Sequence, residues 1–194
     1  LFKHFDLLSV PRSEVVRTLT SSGTSGQSVS RIFLDKTTSD LQTRALSSIV
    51  ASFIGKQRLP MLVIDSRSTV TNRAAFSART AGILGFSLFG RNLTYALDED
   101  MQIDFSAISA FLDRHGHEPI LIFGFTSIIW QHLVLALESR GRRLAFDNAI
   151  LVHGGGWKKL VSLAISAQAF RERLQTSTGI RRIHNYYGMV EQTG

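Results

Sequence analysis

Hydrophobic residues along the chain follow two patterns that alternate. Short uninterrupted apolar runs, such as Ile120–Phe123, predict buried strands, and spacings of three and four residues predict amphipathic helices. Continuous apolar strands between such helices are typical of a largely parallel sheet flanked by helices, so we predict an α/β fold. The predicted strands are Met61–Ile64, Thr94–Leu97, Pro119–Phe125, Ala149–Val152 and Arg182–Tyr186, and the predicted helices lie at Ala74–Leu84, after Asp104, after Phe125 and from Leu160 to Leu174.

The first sixty residues predict a hairpin followed by a helix. Val15–Thr20 and Ser30–Leu34 are short strand-like runs on either side of a polar segment with two glycines, which favours antiparallel pairing. The helix that follows places Leu41, Ala45, Ile49, Val50 and Phe53 on one face.

Length and composition are those of one globular core or one lobe of a larger protein. The chain has 194 residues, of which 44% are hydrophobic and 19% charged. No apolar run reaches the roughly 20 residues that cross a bilayer, so no membrane span is predicted. Because the chain has no cysteine, there is no disulfide framework, and a cytoplasmic location is expected.

The formal net charge of +7 requires nucleic acid to be considered as a partner. Basic clusters such as Arg140–Arg143 and Arg181–Arg182 are short, and no aromatic-rich RNA-binding signature accompanies them. We interpret the clusters mainly as solvated helix ends and loops, with a general preference for anions that suits ATP. No nucleic-acid partner is predicted.

The segment Thr20–Gln27 is the first candidate binding site. It holds five hydroxyl groups and two glycines in eight residues. Glycines let backbone N–H groups turn toward an anion, and hydroxyls add donors without bulk, so the segment suits phosphate oxygens. It is not a Walker A loop, because no lysine follows the second glycine. Taken alone, a flexible polar turn is the simpler interpretation.

Two later features follow predicted strands, at the edge where parallel sheets bind ligands. Gly154–Gly156 comes after Ala149–Val152, and residues without Cβ either let a flat ring lie against the backbone or let the chain turn sharply. Asn185–Glu191 offers a tyrosine ring and, three residues past Gly188, a carboxylate of the kind that binds Mg²⁺. Taken alone, Glu191 is more simply interpreted as an acidic residue at the protein surface.

In this order, the three features resemble the adenylate-forming superfamily of acyl-CoA ligases, luciferases and acyl-AMP synthetases. The sequences of His153–Lys158 (HGGGWK) and Tyr187–Gly194 (YGMVEQTG) more specifically resemble motifs of the acyl-protein synthetase branch, the LuxE type. The matches span nearly the whole chain. Because the chain stops just past the last motif, we expect residues 1–194 to be a partial N-terminal adenylation domain, the ATP-binding lobe, with the C-terminal domain absent.

The resemblance implies a role for each motif. The first motif wraps the ATP phosphates, the second lies against adenine, and the third supplies a stacking tyrosine and the glutamate that binds Mg²⁺. Catalytic roles fall on Glu191 and Thr24, with Glu191 as the metal ligand. The implied phosphate-binding residues are Ser21, Ser22, Gly23, Thr24, Ser25 and Gly26, and the implied adenine-binding residues are Gly154, Gly155, Gly156, Tyr187 and Gly188. Phe125 and Thr126, directly after a predicted strand, are candidates for an acyl pocket, with a helix-capping turn as the alternative.

Two positions depart from the wider superfamily. Val190 stands where many members have a threonine, and the basic residue that often follows the phosphate loop is missing, with Arg31 the nearest candidate. The LuxE-type branch tolerates both differences.

The implied activity is that of an acid–thiol ligase that uses ATP and Mg²⁺ to turn a fatty or other carboxylic acid into an acyl-adenylate. In the LuxE-type family the acyl group then moves to an enzyme cysteine before reduction, so an acyl-accepting reductase or carrier protein is an expected partner. This chain has no cysteine, so the segment cannot complete that second half-reaction. The alternatives are a phenylacetate-CoA-ligase-like acyl-CoA synthetase and a nucleotide-binding lobe without turnover.

Overall fold

The structure, a computed structural model, describes residues 2–20, 29–71, 78–157 and 165–187. The chain divides into two compact units, the first within Leu1–Lys56 and the second formed by Gln57–Tyr187. Within the described ranges, no helix is long and apolar enough to span a membrane.

The first unit contains the predicted hairpin and helix. Its elements are a 3₁₀ turn at Arg12–Glu14, strands β1 (Arg17–Thr20) and β2 (Arg31–Leu34), and helix α1 (Lys36–Ile54). The two strands pair antiparallel, with Thr20 opposite Arg31, which confirms the hairpin. Asp35 caps α1 because its side chain accepts a hydrogen bond from the N–H of Thr38 at 2.8 Å.

The apolar face predicted for α1 is only partly buried. Val50 is 1% exposed, whereas Leu41 and Ile49 are both more than half exposed. A two-stranded sheet is too narrow to cover a helix of 19 residues along its whole length.

The second unit is an α/β sheet structure. Its strands are β3 (Leu59–Ser66), β4 (Gly90–Leu97), β5 (Ile120–Phe125), β6 (Ala149–Gly154) and β7 (Arg182–Tyr186). Its helices are α2 (Ser68–Thr71), α3 (Ala78–Ser87), α4 (Phe105–His115), α5 (Thr126–Ile128), α6 (Leu135–Ser139) and α7 (Ala167–Thr178), with a π-helical turn at Ile129–Val134 between α5 and α6. All strand pairs are parallel and their order is β4-β3-β5-β6-β7, which confirms the predicted fold.

Helix α7 begins later than its periodicity predicts. The structure places its first residue at Ala167, where the side chain of Ser166 accepts a hydrogen bond from the N–H of Ala169 at 3.1 Å. The helix ends at Gly179, whose φ of +75° is the left-handed conformation that glycine adopts readily. Leu160 and Leu163, where we expected the helix to start, lie outside the described residues.

Both faces of the sheet are covered by helices. One face packs with α4, α6, α7 and the π-helical turn, which turns four of its six residues inward. The buried side chains there include Leu62, Ile64, Ile108, Phe111, Ile122, Trp130, Leu133, Leu151 and Leu174. On the other face, Phe86 of α3 stacks on Phe123 of β5 with ring centres 4.5 Å apart.

Strands β3 and β5 lie side by side in the middle of the sheet, and the chain continues from them toward opposite edges. In open parallel sheets, ligands bind outside the carboxyl ends of the strands at such a switch point. β5 ends there at Phe125, and β6 and β7 end beside it at Gly154 and Tyr186. This edge therefore carries the glycine segment, Gly154–Gly156, and the predicted adenine-binding Tyr187.

Candidate nucleotide-binding site

The glycine segment begins where β6 packs closely against β7. Gly154 is buried and pairs with Tyr186 in the sheet. A Cβ on Gly154 would lie 2.8 Å from the carbonyl oxygen of Tyr186 and 3.2 Å from its Cδ1. Since β-carbons do not approach atoms this closely, the contact requires glycine.

The second glycine lies against an aromatic ring. A Cβ on Gly155 would come within 2.8 Å of Cδ1 of Phe125, and the φ of Gly155 is +77°. On its other side the same ring meets α3, where a Cβ on Gly82 would lie 2.8 Å from Cζ. Phe125 therefore stands between the glycine segment and α3.

The end of the segment is open. Among the described residues, no heavy atom lies within 4 Å of where a Cβ on Gly156 would be, and both Gly155 and Gly156 are exposed. At the end of the neighbouring strand β7, the side chain of Tyr187 is 77% exposed. A bare backbone with an exposed aromatic ring at the next strand end is an arrangement that suits a flat, aromatic ligand.

A buried polar pair lies beneath the start of the segment. The hydroxyl of Thr126 lies 2.9 Å from Nδ1 of His153 and 3.1 Å from the carbonyl oxygen of Gly154. Burial, with a smaller contribution from the positive charge of Arg171, lowers the pKa of His153 to about 4. The imidazole is therefore neutral at pH 7.

One aromatic ring of α7 packs against both His153 and the residue at the far end of the segment. The ring centre of Phe170, on α7, lies 5.0 Å from that of His153 and 6.3 Å from that of Trp157. Trp157 also meets Trp130 edge to face, with centres 6.0 Å apart. The residues on both sides of the glycine segment thus pack on one ring of α7.

Sequence reasoning missed a charged cluster at the end of β3. Asp65 is 1% exposed, and its Oδ1 accepts hydrogen bonds at 2.7 Å from Arg79, Thr69 and the N–H of Ser66. The signal in the sequence was an aspartate at the end of an otherwise apolar strand.

The structure brings part of the predicted site together. Phe125, Thr126, Gly154 and Gly155 are in contact or adjacent, and Tyr187 follows the neighbouring strand. The predicted phosphate-binding residues Ser21–Gly26, with Thr24 among them, lie outside the described residues, as do Gly188 and the predicted metal ligand Glu191.

Two further observations concern charge at the predicted site. Arg31, the nearest basic residue after the phosphate loop, forms an ion pair with Asp6 at 2.9 Å. Within the described part of the chain, no group of three or more His, Asp or Glu side chains could hold a metal ion.

The parallel sheet with helices on both faces and a glycine segment at its carboxyl edge resembles an adenylate-forming ligase fold. A crystal structure of an open conformation of 2-hydroxyisobutyryl-CoA ligase, in complex with 2-HIB-AMP and CoA, is similar in fold, with a TM-score of 0.53 and 12% sequence identity. The similarity covers 95% of this chain and 35% of that ligase, so this chain spans about a third of its length.

The sequence identifies the branch within this class. A family model described as acyl-protein synthetase, LuxE, matches residues 1–194. The chain therefore belongs to the LuxE acyl-protein synthetase family. No curated protein matches the sequence.

Proposed function

We propose that the chain forms the ATP-binding lobe of a ligase that converts a fatty or other carboxylic acid into an acyl-adenylate for transfer to a protein thiol. The observation that carries the proposal is the exposed backbone of Gly155 and Gly156 with the exposed ring of Tyr187 at the next strand end. Membership of the acyl-protein synthetase family supports the reaction type.

Adenine would bind at the glycine segment and stack on Tyr187. An adenine ring needs a flat surface on each side, and a backbone without β-carbons supplies one of them. We also assign adenine binding to Gly188. Aromatic stacking then contributes to affinity without requiring a charged partner.

The reaction is a substitution at the α-phosphorus of ATP. A carboxylate oxygen attacks the α-phosphorus, the bond to the bridging oxygen breaks, and pyrophosphate leaves with both electrons of that bond. This chemistry depends on positioning and on stabilising negative charge rather than on a covalent nucleophile. We assign phosphate binding to Ser21–Gly26, with Thr24 contributing to catalysis.

Glu191 is the proposed ligand of Mg²⁺, because this ion prefers oxygen ligands such as a carboxylate. When bound, Mg²⁺ would neutralise charge on the phosphates. Glu191 therefore has two proposed roles, as metal ligand and as catalytic residue.

The acid would bind next to Phe125 and Thr126. The ring of Phe125 lies between Gly155 and Gly82, so it separates the glycine segment from α3 and could limit the acyl group on that side. The thiol acceptor must come from outside this segment, because the chain has no cysteine. We further propose a cytoplasmic enzyme with an acyl-accepting reductase or carrier protein as its partner.

The test is acid-dependent exchange of labelled pyrophosphate into ATP, measured on the full-length protein with fatty acids of several lengths. We expect exchange only when acid is present. Glu191→Gln should reduce it strongly, whereas Glu99→Gln, the same change at an exposed turn residue, should leave it intact. Absence of exchange with every acid would refute adenylation, and AMP binding without exchange would favour a lobe without turnover. Acid-dependent consumption of CoA would instead support the acyl-CoA synthetase alternative.

A further inference from the structure

We propose that Thr126 and His153 are positioning residues that fix the orientation of the glycine segment for adenine, and that Trp157 anchors the far end of that segment. The inference rests on the proposed nucleotide-binding role of Gly154–Gly156. It assigns Thr126 a function in addition to its proposed place beside the acyl group.

The hydroxyl of Thr126 orients a backbone group. Its oxygen contacts Nδ1 of His153 at 2.9 Å and the carbonyl oxygen of Gly154 at 3.1 Å. A hydroxyl has one proton, and a carbonyl oxygen can only accept, so Thr126 donates to Gly154 and accepts from the N–H at Nδ1. Because the peptide unit is planar, fixing the carbonyl of Gly154 also fixes the direction of the N–H of Gly155.

His153 is held in place by its surroundings. It is 5% exposed and packs against Phe170, with ring centres 5.0 Å apart. The hydrogen bond to Thr126 places the proton of the neutral imidazole on Nδ1. The ring can therefore support Thr126 in one orientation only.

The far end of the segment is attached to the same helix. Trp157 packs on Phe170 and Trp130, with ring centres 6.3 and 6.0 Å apart. Three consecutive glycines have great conformational freedom, and binding a ligand would have to restrict it. Tying both ends to buried aromatic rings removes part of that freedom before the nucleotide arrives.

Valine and serine at position 126 provide the central test. Thr126→Val keeps the shape and removes the hydroxyl, whereas Thr126→Ser keeps the hydroxyl. AMP is the probe, because it needs no acid for binding, and its dissociation constant is measured by calorimetry and by the fluorescence of the chain's two tryptophans. We expect Thr126→Val to weaken AMP binding about tenfold, since a hydrogen-bond relay is lost, and Thr126→Ser to recover most of the affinity.

A buried threonine elsewhere separates positioning from general destabilisation. Thr178 is 0% exposed and donates to the carbonyl oxygen of Leu174 at 2.6 Å. We expect Thr178→Val to lower the melting temperature without changing the affinity for AMP. Affinity of Thr126→Val within about twofold of the wild type, or an equal loss in Thr178→Val, would overturn the proposal.

Substitutions of His153 keep the test decisive if Thr126→Val does not fold. His153→Asn keeps a donor near the position of Nδ1, and His153→Phe keeps only the ring. We expect His153→Asn to bind AMP more tightly than His153→Phe, and equal affinities would contradict the relay. A wild-type protein that does not bind AMP would refute the proposed nucleotide site itself, whereas normal binding by all variants would refute only this inference.

Discussion

The ring of Phe125 lies so close to the backbone of Gly155 that a β-carbon there would come within 2.8 Å of Cδ1. The φ of Gly155 is +77°, a conformation that costs a residue with a side chain about 1–2 kcal/mol. Since crowding adds about 1–3 kcal/mol, Gly155→Ala should lower the free energy of unfolding by about 2–5 kcal/mol. Urea denaturation measures the change.

Two other glycines provide matched controls for this substitution. Gly141 has a φ of +59°, but no atom of a described residue lies within 4 Å of its Cβ position, so Gly141→Ala isolates the backbone strain of about 1–2 kcal/mol. Gly156 has no positive φ and no close neighbour in the part of the chain that the structure describes, so Gly156→Ala should leave stability unchanged. If Gly155→Ala and Gly141→Ala lose equal stability, the contact with Phe125 is unimportant.

The buried imidazole of His153 should make stability depend on pH. Burial lowers the pKa of His153 from 6.5 to about 4, so between these values the unfolded chain binds a proton that the folded chain does not. This contribution is fully present above pH 6.5 and is lost progressively as the pH falls to 4, by up to about 3 kcal/mol.

The measurement compares wild-type and His153→Phe proteins by urea denaturation at pH 7.5 and pH 4.5. Other groups titrate over the same range, so the difference between the two proteins is the informative quantity. We expect the wild type to lose more stability on acidification than His153→Phe does. Equal losses would show that the imidazole is already accessible to protons in the folded protein.

Local signals in the sequence predicted most of the fold. The run Arg182–Tyr186 is strand β7, and Asp104 caps α4 by accepting a hydrogen bond from the N–H of Ala107 at 2.9 Å. Both depend only on neighbouring residues, which a linear sequence displays directly.

Contacts between distant residues were not predictable in the same way. Thr126 meets His153 because β5 and β6 pair in a register that sets Phe125 opposite Gly154, and no local pattern specifies that register. The start of α7 has a different cause, because the cap of Ser166 on the N–H of Ala169 is local, but the apolar spacing before Ala167 continues the helical pattern and masks it. The phosphate, adenine, acyl and metal assignments all stay predictions.

The ion pair at the end of β3 should matter more than those at the surface. Asp65 is 1% exposed, and Asp65→Asn would leave Arg79 without its charged partner, so we expect a loss of about 2–4 kcal/mol in the free energy of unfolding. Glu138→Gln is the control, because the pair of Glu138 with Arg173 is exposed and should contribute about 1 kcal/mol or less. Urea denaturation measures both variants, and similar losses in the free energy of unfolding would contradict a special role for Asp65.

Tyr187 should affect nucleotide affinity without affecting stability. Its side chain is 77% exposed, so Tyr187→Ala removes little packing, and the midpoint of urea denaturation should stay close to that of the wild type. Loss of a ring that stacks on a base weakens binding by about 1–3 kcal/mol, which corresponds to about 5- to 150-fold in the dissociation constant of AMP. Tyr187→Phe keeps the ring and should bind AMP nearly as well as the wild type. The affinity for pyrophosphate, which has no base, separates loss of stacking from a general loss of binding. Tyr187→Ala should leave the affinity for pyrophosphate unchanged. A parallel loss of affinity for AMP and for pyrophosphate would count against adenine stacking on this ring.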